Sequence, residues 1–428
     1  MVLGPLVGFA SAAPPPASTP ALRTPYTRQI PSTGTVRIPA IVIDFADAPN
    51  TMSEGDIAST LFGAGKAEKA PMESLNAFYR RSSYGALDLT GEVLGVYHVP
   101  MTRAAAEAAS GQTALVEDAL ASFDTSGTDF ARYDGDGDGR LDYVIVMWTG
   151  SARRGTAWWG SYTVGGNDRL VDGTALGAYA WVPVPTDFSA RTLVHETGHA
   201  LGLTDLYDGN RSIGPGGGVG AFDPMGDGSC DHNALSKIML GWIRPRVIST
   251  GLEKLSLRPT SAAPDAAIVM PGFSLDAPYR EFYVVQARVR TGNDAAWPYT
   301  TSSALQVWHV DATMGSNGRY AYNNSTTAHK FLRLVEADGK SEIEKLDMSN
   351  TTDLFRTGAT FSAASAPSSD LYTGDRSGVT VSSIRTATGS VSFSAAAGAS
   401  VGTDRLTDAR LARKASLAAA RRLAARRR

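Results

Sequence analysis

Hydrophobic positions along the chain follow two different rhythms, and the change between them divides the sequence. Residues 36–45 (VRIPAIVIDF) form a β-branched apolar run, as a buried first strand requires. Residues 53–62 predict a short helix with Ser53 as its cap and Asp56 in its first turn. A second helix is expected over 71–81, running into Ser82-Ser83-Tyr84-Gly85. Residues 87–94 alternate as a half-exposed strand should, and the alanine-rich stretch 102–123 predicts a long helix. Residues 143–148 (YVIVMW) read as a buried strand and 175–184 as another. Ser189 is placed to cap a helix reaching about Leu201, and 234–240 predicts a short helix ending at Gly241-Trp242.

From Leu255 onward the rhythm changes to short alternating strands between turns, clearest at 281–288, 305–310, 330–335 and 391–394. Strands and helices mixed first, then strands alone, give an α+β class with an all-β second domain. The expected organisation is a signal-like segment and Pro/Ala-rich linker over 1–31, a catalytic domain over 32–247, a β-rich domain over 248–398, and a basic tail over 399–428. Two folded units also suit a chain of 428 residues that is 43% hydrophobic.

Charge refines this picture. The net charge of −2 hides nine Arg/Lys against two Asp from Asp404 onward, so a tail of +7 leaves a body of −9. An acidic body with Asp-rich loops points to bound cations rather than nucleic acid, while the tail is suited to touching anionic surfaces or to staying solvated. The single cysteine, Cys230, excludes an intramolecular disulfide and reads as a small buried hydrophobe, with a zinc-guarding thiol as the sharper alternative. Residues 1–13 are apolar and end in Ala10-Ser11-Ala12, a small-residue cleavage pattern without a basic start. No other apolar run is long enough to cross a bilayer, so a secreted protein, taken as a monomer, is expected.

The chemistry is concentrated in His195-Glu196-Thr197-Gly198-His199-Ala200-Leu201-Gly202-Leu203-Thr204-Asp205. Residues four apart share a helix face, so His195 and His199 can point at one metal ion, and neutral imidazoles suit Zn²⁺. Glu196 is beside the first histidine, where a general base for a metal-activated water belongs. Gly202 ends the helix and lets the chain bring Asp205 back as third ligand, with Asp208 next in line. Met225, in the turn Asp223–Asp227, is a candidate hydrophobic floor, and His232 and Tyr207 are candidate oxyanion donors. A separate loop, Asp134-Gly-Asp136-Gly-Asp138-Gly-Arg140-Leu-Asp142, spaces hard oxygens as a structural Ca²⁺ loop does, through four carboxylates and the Arg140 carbonyl. It lacks the closing Glu of a full EF-hand, since Ile145 stands there. Asp311 and Asp338 read first as turn caps and only second as cation ligands.

These residues resemble the immune inhibitor A family of secreted bacterial metallopeptidases. The likeness runs from about Val36 to Phe393 and includes the 195–208 motif, the loop from Tyr133, Ser236-Lys237…Leu240-Gly241-Trp242, Gln306 to Asp311 and Val335 to Gly339. It implies a metzincin-like zincin domain with a twisted mixed sheet, a β-sandwich-like domain behind it, one zinc, calcium sites and endopeptidase action on proteins and peptides. Two departures are the short stretch before Val36, which leaves little room for the family's usual propeptide, and a shorter C-terminal region. The rival readings are an aminopeptidase-like zinc hydrolase with a downstream Glu ligand, nearest at Glu253 or Glu281, and an inert surface-binding zincin. The intact Glu196 speaks against the second.

Overall fold

The computed structural model describes residues 22–398, apart from 110, 153–157, 159, 169, 211, 214–217, 301 and 328. The signal-like segment, much of the linker, part of the glycine cluster around 214–220 and the basic tail lie outside the described residues. The first half runs β1 (Gly34–Phe45), α1 (Glu54–Leu61), α2 (Leu75–Ser82), β2 (Leu87–Val99), α3 (Arg103–Ala109), α4 (Gln112–Thr125), β3 (Tyr143–Thr149), β4 (Tyr162–Val164), β5 (Leu170–Val171), β6 (Thr174–Ala175), β7 (Ala178–Val184), α5 (Ala190–Ala200) and α6 (Ala234–Met239). Its five-stranded sheet has the order β2-β1-β3-β7-β4. The first four strands are parallel and β4 closes the edge antiparallel to β7.

The unbroken apolar runs of β1 and β3 are explained by burial on both faces. Ile38, Ala40 and Val42 face the core that holds α2 and α5, while Ile41, Ile43 and Phe45 face a second core built with α4. Tyr143, Ile145 and Met147 alternate with Val144, Val146 and Trp148 in the same way.

Several expected boundaries move. The 102–123 helix is two helices, because Gly111 adopts extended backbone and caps α4. The second helix starts at Leu75, where Ser74 accepts the Ala77 N–H. The 175–184 strand is interrupted at Leu176-Gly177: Ala175 belongs to β6, which pairs with β5 across the positive-φ turn Asp172-Gly173, and β7 begins only at Ala178. The end of the expected linker is packed. Leu22 and Ile30 are buried, and the Tyr26 and Gln29 N–H groups donate to the carbonyls of Gly202 and Ala200 at the end of α5.

The second half runs β8 (Arg246–Ile248), β9 (Gly251–Leu257), β10 (Ala267–Val269), β11 (Glu281–Arg288), β12 (Ala304–Asp311), β13 (Leu332–Leu334), α7 (Glu342–Leu346), β14 (Val379–Ala387) and β15 (Ser390–Ala397). Two further sheets have the orders β13-β12-β11-β10-β8 and β14-β15-β9. The expectation of strands alone is corrected by α7, a short helix entered at Ser341 with left-handed backbone.

One apolar core extends from the first sheet into both later ones. Buried polar groups stitch the same boundary. Lys237 on α6 pairs with Asp231 at 2.6 Å, Arg288 on β11 pairs with Asp294 at 2.6 Å, and the Asn293 amide donates to Asp231 and to the Phe78 carbonyl. Removing one partner of such a fully buried pair costs roughly 3–5 kcal/mol, because the other charge is left unpaired.

Candidate active site

Helix α5 starts at Ser189, whose hydroxyl accepts the Thr192 N–H at 3.2 Å. It ends in a Schellman turn: the Leu203 N–H reaches the Gly198 carbonyl, the Gly202 N–H reaches His199, and Gly202 has φ +86°. The turn brings the Leu203 carbonyl to 3.0 Å from His199 Nδ1. On the other histidine, Nδ1 lies 2.9 Å from the Pro224 carbonyl. Nδ1 of each ring donates to a carbonyl, which turns both Nε2 atoms toward Asp205. Asp205 Oδ1 is 3.2 Å from His195 Nε2 and 3.3 Å from His199 Nε2.

These separations fit a metal. Ligands around a tetrahedral zinc with bonds of ~2.0–2.1 Å stand about 3.3 Å apart, and the donor set of two imidazoles and a carboxylate is one zinc accepts. Burial alone would raise the Asp205 carboxyl, but the hydrogen bonds and charge of His195 and His199 hold it well below the usual range.

Glu196 is 4% exposed, and burial raises its pKa against the opposing pull of His199 and His195. The Thr163 hydroxyl, on edge strand β4, lies 2.9 Å from the Glu196 backbone carbonyl and 3.0 Å from Glu196 Oε2, and its one proton serves both acceptors. His195, Glu196, His199, Asp205 and Tyr207 line one cleft of about 500 Å³, with Ser161 to Gly165 forming another wall and Tyr26, Thr27 and Gln29 a third. Nothing in the composition of 161–165 or 26–29 marks these segments as site walls; only β-pairing and the bonds to the end of α5 bring them there.

The Asp223-Pro224-Met225 turn packs against α5 through Pro224 and Met225. Met225 is buried with its sulfur against Gly198, where a Cβ would collide with it. Its carbonyl accepts the Leu206 N–H at 2.7 Å, tying this turn to the segment that carries Asp205. Asp223 accepts the Met225 N–H and the Asn233 amide.

The two candidate oxyanion donors part company. The Tyr207 ring stacks on His195, and its hydroxyl is pushed above the normal tyrosine range, by burial first and Asp205 next. His232 is fully buried among Phe78, Tyr79 and Trp242, away from the cleft lining. Asp208, the reserve ligand, is taken up by Lys330 at 3.0 Å. Glu253 pairs with Arg246 and Glu281 with His309, so neither lines the cleft. Cys230 is buried in the core with its thiol pushed up by burial, outside the cleft lining.

The 134–142 loop folds around its own carboxylates. Asp134 accepts the N–H groups of Gly137, Asp138 and Gly139, and Asp138 accepts that of Arg140. Asp134, Asp136 and Asp138 offer oxygens within 4.8 Å of one another. Burial, reinforced by those three charges, raises Asp142 to about 6.

A family model described as Gametolysin peptidase M11 matches residues 37–345 of this chain. A protein named Immune inhibitor A, from Bacillus thuringiensis subsp. alesti, is 27% identical over 198 residues. That match covers 37% of this chain and 29% of the relative, so the chain spans less than a third of the relative's length.

Proposed function

The chain belongs to the gametolysin M11 family of metallopeptidases, and from that premise we propose that it is a secreted, zinc-dependent endopeptidase acting on proteins and peptides. The observation that carries the reading is the convergence of His195, His199 and Asp205, with Asp205 Oδ1 3.2 and 3.3 Å from the two Nε2 atoms, beside a buried Glu196. His195, His199 and Asp205 would hold the ion, on a metzincin-like zincin scaffold with Met225 as its floor. Zinc, when bound, supplies Lewis acidity toward the scissile carbonyl and lowers the pKa of a water towards neutrality.

The protein's own groups do the rest. Glu196 takes a proton from the attacking water and delivers it to the leaving amine nitrogen as the C–N bond breaks. Its raised pKa suits both halves of that transfer, and the Thr163 hydroxyl stands beside its Oε2. Tyr207, which lines the same cleft, is the donor we assign to the developing oxyanion. An edge strand beside the cleft gives an extended substrate backbone somewhere to pair, which suits cleavage within a chain rather than at its end.

The remaining expectations join this reading. The 134–142 loop binds calcium structurally and pins the entry to β3. The 32–247 and 248–398 segments act as catalytic and β-sandwich-like domains. The protein works as a monomer, and its basic tail contacts anionic surfaces. No helix among the described residues is long and apolar enough to cross a membrane.

Casein digestion tests the central claim. Activity should vanish with a zinc chelator, return with added zinc, and be absent in Glu196→Gln. Activity that survives chelation and that substitution would overturn it.

A further inference from the structure

Behind the cleft, the second half brings four carboxylates together. One oxygen from each of Glu336, Asp338, Glu342 and Asp353 lies within 4.8 Å of the others. They come from separate pieces of chain: the turn after β13, the first residue of α7, and the 3-10 turn Thr351–Asp353.

Local structure accounts for much of this group. Glu336 accepts the N–H groups of Glu342 and Ile343 at the start of α7. Asp338 caps its own turn through the Lys340 N–H and accepts the Thr352 hydroxyl at 2.6 Å. Glu342 Oε2 accepts the Asn350 side chain at 2.6 Å, and Asp353 Oδ2 accepts the Asn350 N–H at 2.8 Å.

It does not account for Asp353 Oδ1. Asp353 is 0% exposed, and Oδ1 has no hydrogen-bond partner. A buried carboxylate oxygen without a donor is costly, and three like charges beside it increase the cost. Among the described residues the cation paired with this group is Lys340, exposed to solvent, 3.2 Å from Asp338 and 3.8 Å from Glu342. An exposed lysine pair contributes little.

We propose that Glu336, Asp338, Glu342 and Asp353 form a second binding site for a hard divalent cation of the calcium class, distinct from the 134–142 loop. Four carboxylates with no histidine or cysteine select against zinc and other soft ions. Their irregular arrangement suits the variable oxygen shell of Ca²⁺ better than the strict octahedron of Mg²⁺.

The site would act as a staple. It joins α7 and the 349–353 segment, and that segment holds the floor of the cleft. The Ser349 hydroxyl accepts the Ala221 N–H at 2.9 Å, and a Cβ on Gly220 would meet Ser349 and Ile343. Ala221 precedes the Asp223-Pro224-Met225 turn, whose Pro224 carbonyl orients His195.

The test uses the full chain with zinc saturated and Glu196→Gln to stop self-digestion, with Ca²⁺ as the probe. Calcium bound per chain is measured by equilibrium dialysis, and amide exchange is followed over 340–353. Asp353→Asn or Glu342→Gln should weaken one calcium site by at least about tenfold, as affinity follows ligand charge count. Calcium-dependent protection of 340–353 should be lost with it, whereas Asp136→Ala should leave that protection intact. Glu342 is partly exposed, so Glu342→Gln reports even if Asp353→Asn fails to fold. Unchanged calcium stoichiometry and unchanged protection in Glu342→Gln would overturn the proposal. Equal protection by Mg²⁺ would overturn the calcium assignment. None of these readouts depends on peptidase activity.

Discussion

The ring of Tyr207 stacks on that of His195, with centroids 6.1 Å apart and planes inclined by 17°. The phenol is therefore held beside His195 in the cleft. Tyr207→Phe keeps the stack and removes the donor. If Tyr207 stabilises the oxyanion, kcat should fall by roughly 10²–10³-fold with KM little changed. Steady-state kinetics on a peptide, with zinc content measured alongside, checks this; an unchanged kcat would assign the role elsewhere.

Glu196 and Asp205 should separate base from ligand. Glu196→Gln should retain zinc through dialysis while turnover falls by ~10²–10⁴-fold. Asp205→Ala should lose activity together with zinc if Oδ1, 3.2 and 3.3 Å from the two Nε2 atoms, is the third ligand. Full zinc content and near-normal activity in Asp205→Ala would refute that assignment.

Gly198 faces the Met225 sulfur with no room for a Cβ. Alanine would favour the helix by about 1 kcal/mol, but overpacking the contact should cost about 1–3 kcal/mol. Gly198→Ala should therefore lower the melting temperature and disturb the zinc site, and Gly198→Ala with Met225→Ala should recover part of the loss. A melting temperature at or above the parent's would show that the floor is not tightly packed.

The 134–142 loop should stabilise without taking part in catalysis. Removing calcium with zinc kept saturated should lower the melting temperature and speed self-digestion, and Asp136→Ala should mimic it. Identical melting curves with and without calcium, for both proteins, would count against the site.

His309 should make stability depend on acid. Its ring is sandwiched between Tyr283 and Tyr372 and bonded to Glu281 at 2.6 Å, with Arg333 and Asp311 also near. Burial lowers its pKa and outweighs the opposing pull of Glu281. As pH falls below about 6.5, the unfolded chain takes up the proton first. This contribution is intact above that pH and is lost as pH drops towards the folded value. From pH 8 to about 5 the parent's melting temperature should fall relative to that of His309→Gln, which lacks this contribution. An equally steep curve in the variant would assign the acid sensitivity to other groups.

The sequence by itself determined the elements whose cause is local. Ser53 and Ser189 cap helices because their hydroxyls reach N–H groups three residues on, and Gly202 ends α5 because its φ of +86° disfavours a side chain. The motif from His195 to Asp205 was legible for the same reason, since one helical turn and one Schellman turn fix where its side chains point. Tertiary structure alone decided what depends on distant partners. Thr163 meets Glu196 because β4 pairs with β7, and Tyr26 reaches the cleft because its N–H donates to Gly202. His232 and Tyr207 are equivalent candidates as sequence, yet packing buries one among aromatic rings and places the other over His195. The Glu336, Asp338, Glu342 and Asp353 cluster is spread over 18 residues of turns and short helices. No repeating spacing announces it, because its geometry is set by how those turns close and not by the period of any one element.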